Sequence, residues 1–250
     1  MKSVLTNAWL RPEPDAPPDR QLLVGDAFDV ESTIDGWSFG RAQKDEYQGY
    51  LPDHALGEDI TPTHWVQTRS TWGYARPDIK SDPVIDLHMT ARLEVLETGS
   101  DWLEARYSTG TIHVPAAHCL PIGSNVDVVV AARAFLGTPY LWAGNTGFGL
   151  DCSGLVQVAY HAAGRTCAAD SQDQEVMAGT ALGEDTTLQP GDLIFWKGHV
   201  AMATGSDTLI HANAHHMAVV EESTETAIAR IASSDTGPVT SRLRPLSSSL

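Results

Sequence analysis

The chain has 250 residues, of which 42% are hydrophobic and 19% charged, a balance typical of a soluble globular protein with room for more than one domain. Its formal net charge is −16, which argues against nucleic acid and against an anionic membrane surface as partners. No apolar run reaches membrane-spanning length, and the N-terminus carries none of signal-peptide length. We therefore expect a cytoplasmic protein with no membrane partner; the oligomeric state stays open.

The cysteine content also limits the possible classes. The three cysteines are Cys119, Cys152 and Cys167. An odd number without a C-x-x-C pair gives neither a disulfide framework nor a zinc signature, and it fits a reducing compartment in which one thiol is free to react. The histidines His161, His215 and His216 do not form a metal-binding set. We expect neither a metal nor a cofactor.

The first half of the chain contains an internal repeat with an offset of about 65 residues. Its landmarks are residues 10–12, 28–30, 36–40 and 50–56 in one copy and 75–77, 93–95, 101–105 and 113–120 in the other. Both copies alternate apolar and polar residues over short runs between turn residues, which is typical of small antiparallel β units. We expect two small, partly open β-barrels, at residues 1–60 and 61–122.

The second half, residues 123–250, predicts an α+β domain in which helices precede an antiparallel sheet. We expect a helix at 126–136 capped by Ser124 or Asn125, and one at 152–163 between Asp151 and Gly164. A capping-box spacing at 171–174 predicts a third, short helix. The predicted strands are 192–196, 199–204, 208–212, 217–221 and, as an edge strand, 240–246.

Cys152 is the candidate nucleophile. It begins an apolar helix directly after a loop rich in glycine and aromatic residues, at 140–147. A helix N-terminus presents unpaired N–H groups and a partial positive charge, so we expect a stabilised thiolate there.

Two histidines are the candidate partners of this thiol. A thiol nucleophile needs a base within hydrogen-bond reach, and the base needs an orienting partner. His199 opens one predicted strand and His211 lies on the next, so a hairpin would bring the two imidazoles together. The alternative is that Cys152 is an ordinary buried apolar residue and that two of ten histidines lie on strands by chance.

Five ordered motifs within residues 126–213 resemble the NlpC-type family of papain-like peptidoglycan peptidases. These motifs are residues 137–144, 151–156, 188–196, 198–202 and 209–212. The resemblance implies a papain-like catalytic domain with Cys152 as nucleophile, His199 as general base and His211 as the orienting third residue.

The repeats at the front resemble bacterial SH3-like domains. Two such domains before this catalytic domain resemble the dipeptidyl-peptidase VI branch, the γ-D-glutamyl-L-diamino acid endopeptidases. The resemblance implies a cytoplasmic thiol protease that recycles murein peptides. It would cleave the γ-D-Glu–diamino acid bond of a small murein peptide whose N-terminal L-Ala is free.

The same resemblance suggests the substrate-binding residues. Asp170 and Ser171 would bind the amino end of the peptide, or serve only to cap a helix. Ser153, beside the nucleophile, would contact the substrate or the oxyanion, or only begin its helix. Asp151, on the other side of the nucleophile, is also a candidate substrate-binding residue. The first β domain would supply a tyrosine, Tyr47 or as second choice Tyr50, and an acidic residue, Glu13 or Asp15. Trp142 would line the pocket or lie in the core.

Two departures from the family pattern stand out. Ala143-Gly144 replaces a Gly-Gly pair, and Ala168-Ala169 replaces a Pro-Arg pair that precedes the Asp. The missing Arg leaves open how a substrate carboxylate is held.

Other possible functions are a catalytically idle murein-peptide binding module, an amidase or acyltransferase on the same Cys-His machinery, and a secreted wall hydrolase.

Overall fold

The computed structural model describes residues 1–246 and divides the chain into two compact units. Met1–Ser124 and Asn145–Gly147 form the first, and Asn125–Gly144 with the chain from Phe148 onward forms the second. Within the described residues the first unit consists of strands and two 3-10 helices, whereas the second combines α-helices with a sheet. The chain is thus a mixed α and β protein. No helix within residues 1–246 has both the length and the apolar character needed to cross a bilayer.

The strands of the first unit are short. They are Lys2–Val4 (β1), Ala8–Leu10 (β2), Arg20–Leu22 (β3), Ala27–Ile34 (β4), Trp37–Ala42 (β5), Gln48–Pro52 (β6), Leu56–Gly57 (β7), His64–Val66 (β8), Ser70–Tyr74 (β9), Pro83–His88 (β10), Arg92–Leu93 (β11), Val95–Thr98 (β12), Trp102–Tyr107 (β13), Gly110–Pro115 (β14), Cys119–Pro121 (β15) and Asn145–Thr146 (β16). They form two five-stranded antiparallel sheets, in the orders β6-β5-β4-β1-β7 and β10-β9-β14-β13-β12. Smaller sheets are β11-β8-β15 and β2-β3.

The internal repeat reappears in the order of these elements. Strand β6 leads through the 3-10 helix Asp53–Ala55 into β7, and β14 leads through the 3-10 helix Ala116–His118 into β15. Burial alternates along β5, as expected of a strand with one face on a core. One core cluster surrounds Phe28 and Leu51, and another surrounds Val66 and Leu87. Closure of either sheet into a barrel, and the boundary between residues 60 and 61, stay predictions.

The second unit supplies the candidate site. Its elements are the helices Val128–Arg133 (α1), Cys152–Ala162 (α2), Ser171–Glu175 (α3) and Thr224–Ala232 (α4) and the strands Gly149–Leu150 (β17), Gly179–Ala181 (β18), Leu193–Trp196 (β19), His199–Ala203 (β20), Thr208–Asn213 (β21), Ala218–Ser223 (β22) and Ser241–Pro245 (β23). Six of these strands form one antiparallel sheet in the order β18-β23-β19-β20-β21-β22. All four residues of β19 are buried, because this central strand is covered on both faces.

Three helix predictions can be compared with the structure. Helix α2 is confirmed, with Asp151 as its N-cap and Gly164 just beyond its end at φ +69°. Helix α1 is shorter than expected, and its N-cap is Asp127 rather than Ser124 or Asn125, because the Asp127 carboxylate accepts hydrogen bonds from the amides of Val129 and Val130.

The capping-box prediction for α3 was off by one residue. The N-cap is Asp170, and Ser171 is the first helical residue. The side chain of Gln174 does not turn back to cap the helix. It is fully buried, and its amide donates hydrogen bonds to the carbonyls of Ser153 and Ala168, which ties α3 to the first turn of α2.

Two further differences concern the sheet. Strand β23 was expected at an edge, yet it lies between β18 and β19, and β18 takes the edge. Helix α4 was not predicted at all. It packs Ala227, Ile228 and Ile231 against the sheet cluster of Ile194 and Trp196. This helix covers the sheet face that carries the candidate histidines.

Candidate active site

Asp151 organises the turn that precedes the candidate nucleophile. Its Oδ1 accepts hydrogen bonds from the amide of Gly154 at 2.7 Å and from Oγ of Ser153 at 3.1 Å, and its Oδ2 accepts the amide of Ala143 at 2.9 Å. Ala143 has a left-handed backbone, φ +63°, which costs an L-residue about 1–2 kcal/mol. One carboxylate thus caps α2 and anchors the preceding loop, so that Cys152 is held at the start of the helix.

The Cys152 thiol is buried, with 7% of its surface exposed. Burial raises the pKa of Cys152 to about 12, and the negative charge of Asp151 adds to this shift. The backbone N–H groups of Val200, Ser153 and Cys152 itself act in the opposite direction but do not outweigh it. The expected thiolate at neutral pH is therefore not what the structure gives: in the free protein this cysteine is a neutral thiol.

His199 and His211 form a hydrogen-bonded pair. Nε2 of His199 lies 2.9 Å from Nδ1 of His211. Strands β20 and β21 pair at Met202↔Ile210, so this register makes the two histidines diagonal neighbours on one face of the sheet. His211 is 1% exposed and His199 half-buried. The predicted juxtaposition of the two imidazoles on neighbouring strands is confirmed.

Both imidazoles are neutral near pH 7. Burial lowers the pKa of His199 to about 3, and the charges of His211 and Arg230 act in the same direction. Burial also lowers the pKa of His211 to about 4, although the hydrogen bond and negative charge of Glu222 oppose this shift. A neutral imidazole carries one proton and one lone pair, which is the form that a general base requires.

The thiol and the two histidines line one pocket of about 340 Å³. Its lining residues are Tyr140, Cys152, Gly198, His199, His211, Asn213, Ala214, His215, Arg230, Ile231, Ser234 and Thr236. Burial raises the pKa of Tyr140 to about 12, and the neighbouring Cys152 and Asp151 act in the same direction, so its hydroxyl stays protonated beside the thiol. Tyr140 lies in a motif quoted above, but nothing in that motif assigned it to the pocket. Within residues 1–246 no cluster of three His, Cys, Asp or Glu side chains is arranged for a metal ion.

Two charged residues beyond the histidines were also missed. Nε2 of His211 lies 2.8 Å from Oε1 of Glu222 on β22, and Nη2 of Arg230 on α4 donates to the same oxygen. The register Leu209↔Glu222 and His211↔Val220 makes Glu222 a diagonal neighbour of His211. The chain His199–His211–Glu222–Arg230 therefore crosses three adjacent strands and ends on a helix.

The remaining predicted site residues occupy varied surroundings. Ser153 is buried and donates its hydroxyl to Asp151. Trp142 is 66% exposed and does not line the pocket that contains Cys152. Asp170 and Ser171 are half-buried at the start of α3 and do not line that pocket either, and their substrate contacts stay a prediction.

Two other predicted residues belong to the first unit. Tyr47 packs against the core cluster of Phe28. Glu13 is exposed, and its backbone carbonyl accepts a hydrogen bond from the amide of Ala16. Their part in substrate binding stays a prediction.

Comparison with known families identifies two segments of the chain. Residues 137–233 match the NlpC/P60 family, and residues 10–56 match the bacterial dipeptidyl-peptidase SH3 domain. The first match contains Cys152, His199, His211, Glu222 and Arg230. The second covers the first copy of the internal repeat.

Individual relatives agree with these matches. A gamma-D-glutamyl-L-lysine dipeptidyl-peptidase of Bacillus cereus is 39% identical over 119 residues, which are 44% of this chain and 34% of that protein. Dipeptidyl-peptidase 6 of Lysinibacillus sphaericus is 26% identical over 236 residues, which are 84% of this chain and 86% of that protein. The crystal structure of an NlpC/P60 family protein from Bacillus cereus matches 98% of this chain and 99% of its own, with a TM-score of 0.80 and 20% identity, which establishes the fold.

Proposed function

The chain contains an NlpC/P60 cysteine peptidase domain behind a bacterial SH3 domain and is a hydrolase, and from this premise we propose its substrate. It hydrolyses the bond between γ-D-Glu and the diamino acid in short murein peptides with a free N-terminal L-Ala, during cell-wall peptide recycling. Two Bacillus relatives are named for cleavage at γ-D-glutamyl-L-lysine, which supports this bond. The observation that carries the proposal is a buried thiol that shares one pocket with a hydrogen-bonded pair of neutral histidines.

The proposed reaction starts from a neutral thiol and a neutral imidazole. Sγ of Cys152 attacks the γ-carbonyl carbon while its proton passes to His199, which gives a tetrahedral oxyanion and an imidazolium. The C–N bond then breaks, and the leaving amine takes the proton from His199. Water attacks the resulting thioester with His199 again as base, which releases the L-Ala-D-Glu acid and regenerates the thiol.

The proposal extends to the two domain types, to the residues that bind the substrate amine and to the compartment. The catalytic domain is papain-like, and both five-stranded sheets of the first unit are SH3-like modules; the support is the repeated strand, 3-10 helix and strand order. Asp170 and Ser171 bind the substrate amine. The reaction takes place in the cytoplasm, which fits three cysteines that are all free thiols.

The test is mass spectrometry of the purified protein with L-Ala-γ-D-Glu-diaminopimelate and, in parallel, with the same peptide N-acetylated. We expect cleavage of the free peptide alone, to L-Ala-D-Glu and diaminopimelate. Cleavage of both peptides would keep the peptidase and discard the amine-binding role of Asp170. Cleavage of neither would contradict the proposal and favour the idle binding module or an acyl transferase.

The nucleophile is tested with a matched pair of cysteine variants. Cys152→Ala should abolish turnover with the fold intact, whereas Cys167→Ala, which removes another buried thiol of the same unit, should leave turnover in place. Activity of Cys152→Ala within tenfold of the wild type would refute the assignment.

A further inference from the structure

The contact between Glu222 and His211 determines which nitrogen of each histidine carries a proton. Burial raises the pKa of Glu222, but the hydrogen bonds and charges of Arg230 and His211 together outweigh this effect and lower the pKa, so Glu222 is a carboxylate near pH 7. A carboxylate can only accept hydrogen bonds. The proton in the 2.8 Å contact therefore belongs to Nε2 of His211.

His211 in turn determines which nitrogen of His199 carries the proton. Because His211 is neutral and carries its proton on Nε2, its Nδ1 has a lone pair and accepts a hydrogen bond. The proton in the 2.9 Å contact between the imidazoles then belongs to Nε2 of His199. Nδ1 of His199 is left as the unprotonated nitrogen of that ring.

We propose that Glu222 is a positioning residue of the catalytic machinery, whose carboxylate fixes the proton positions of both histidines and leaves Nδ1 of His199 as the base for the Cys152 proton. This inference rests on the proposed role of His199. Glu222 also stabilises the imidazolium that forms when His199 takes the thiol proton, because its negative charge lies one ring away. Arg230 holds the carboxylate in place through its contact with Oε1.

Cys152, Tyr140 and His215 line the same pocket as the two rings, and the charged groups that interact with the rings are few. His199 interacts with His211 and Arg230, and His211 interacts with His199, Glu222, Arg230 and His216. Glu222 is the single anion in this set of described residues. With a side chain only 16% exposed, it is also poorly screened by water.

The first test is independent of the substrate. In protein labelled with ¹⁵N-histidine, NMR reports which ring nitrogen of each histidine carries a proton. We expect His199 and His211 both protonated on Nε2 in the wild type, and an altered or mixed state of His199 in Glu222→Gln, whose amide can also donate. A wild-type His199 protonated on Nδ1 would overturn the inference, whatever the fate of the proposed substrate.

The second test is kinetic and uses a neighbouring carboxylate as its control. Glu222→Gln should lower kcat about 100-fold or more with KM within about threefold, because loss of the correct tautomer removes the base. Glu221→Gln, which loses an ion pair with Arg133 at 2.6 Å on the other face of the same strand, should leave kcat within about twofold. Equal effects of the two substitutions would contradict a role in positioning.

The third test asks whether Glu222 acts through His211. In His211→Asn the Asn oxygen can accept the Nε2 proton of His199 directly, so the tautomer no longer depends on Glu222. In that background Glu222→Gln should cost less than about threefold, against about 100-fold in the wild type. A full additional loss in the His211→Asn background would show that Glu222 acts by some other route.

Discussion

Nε2 of His199 lies 2.9 Å from Nδ1 of His211, and this contact joins the candidate base to a ring that is almost completely buried. The half-buried ring of His199 takes its orientation from a partner that is itself held between β20 and Glu222. In the proposed mechanism, the two histidines on neighbouring strands thus have different roles, the first in proton transfer and the second in orientation.

Loss of the orienting ring should affect turnover more than binding. We expect His211→Ala to lower kcat by about 10²–10⁴ with little change in KM, because His199 loses its hydrogen-bond acceptor. His211→Asn, which can still accept that hydrogen bond, should stay within about tenfold of the wild type. Steady-state kinetics on the free tripeptide measure both, and an Ala variant as active as the Asn variant would rule out an orienting role.

The reactivity of Cys152 should increase when the adjacent charge is removed. Asp151 helps to raise the pKa of Cys152, so Asp151→Asn should lower that pKa and increase the thiolate fraction at a fixed pH. Asn also caps helices well, which preserves the first turn. We expect alkylation of Cys152 by iodoacetamide at pH 8 to become about three- to tenfold faster, as followed by peptide mass spectrometry.

Ser153→Ala is the control for that experiment. It removes the hydroxyl that donates to Asp151 but keeps the carboxylate charge, so its alkylation rate should stay close to that of the wild type. An alkylation rate in Asp151→Asn no higher than in Ser153→Ala would show that the charge of Asp151 does not lower the reactivity of the Cys152 thiol.

Stability should decline in acid because of the buried histidine pair. The folded-state pKa values, about 3 for His199 and about 4 for His211, lie below the unfolded value of about 6.5. Their contribution is therefore fully present above pH 6.5 and is lost as pH falls from 6.5, towards 4 for His211 and towards 3 for His199. We expect the free energy of unfolding to drop by about 2–3 kcal/mol between pH 6.5 and 5, measured by urea titration.

The double variant His199→Gln, His211→Asn isolates this effect from that of other groups, such as the buried His88 of the first unit, whose pKa is also lowered by burial. The variant should lose clearly less stability over the same pH interval. An equal loss would assign the acid sensitivity to other groups.

A buried hydroxyl ties α2 to the turn before β19. The hydroxyl of Tyr160 donates to the carbonyl of Gly191 at 2.5 Å, and Tyr160 is 1% exposed. We expect Tyr160→Phe to lower the free energy of unfolding by about 1–2 kcal/mol, because the carbonyl loses its buried partner. Urea titration measures this loss, and kcat should not change. Unaltered stability would mean that water or another donor replaces the hydroxyl.

Much of the site followed from local sequence patterns. The apolar run after Asp151 and the stop at Gly164 fix α2, and Cys152 is then at its first position whatever the rest of the fold does. The pattern around 199–212 predicts a hairpin, which is sufficient to bring His199 and His211 together. Features encoded by neighbouring residues were thus accessible before the structure.

Features that depend on tertiary burial could not be predicted from local sequence patterns. The partial charge of a helix N-terminus predicts a stabilised thiolate at Cys152, but the sequence does not show how deeply that thiol is buried, and burial dominates. The interior position of β23 likewise depends on pairing between distant segments. Helix α4 did leave a local signal, a Ser223 N-cap before Ala227, Ile228 and Ile231, and with it Arg230 would have been found.

The diagonal placement of His199, His211 and Glu222 across three strands makes the chemistry sensitive to chain length in two hairpin turns. Side chains alternate between the faces of a strand, so a slip of one residue moves His211 to the opposite face. A register shift caused by one residue more or less in the turn at 204–207 would separate the two imidazoles, and one in the turn at 214–217 would separate His211 from Glu222. In either case these side chains remain in the sequence and most of the sheet stays paired. Related sequences in which a length difference at these turns shifts the strand register would then be inactive although all of their motifs are intact.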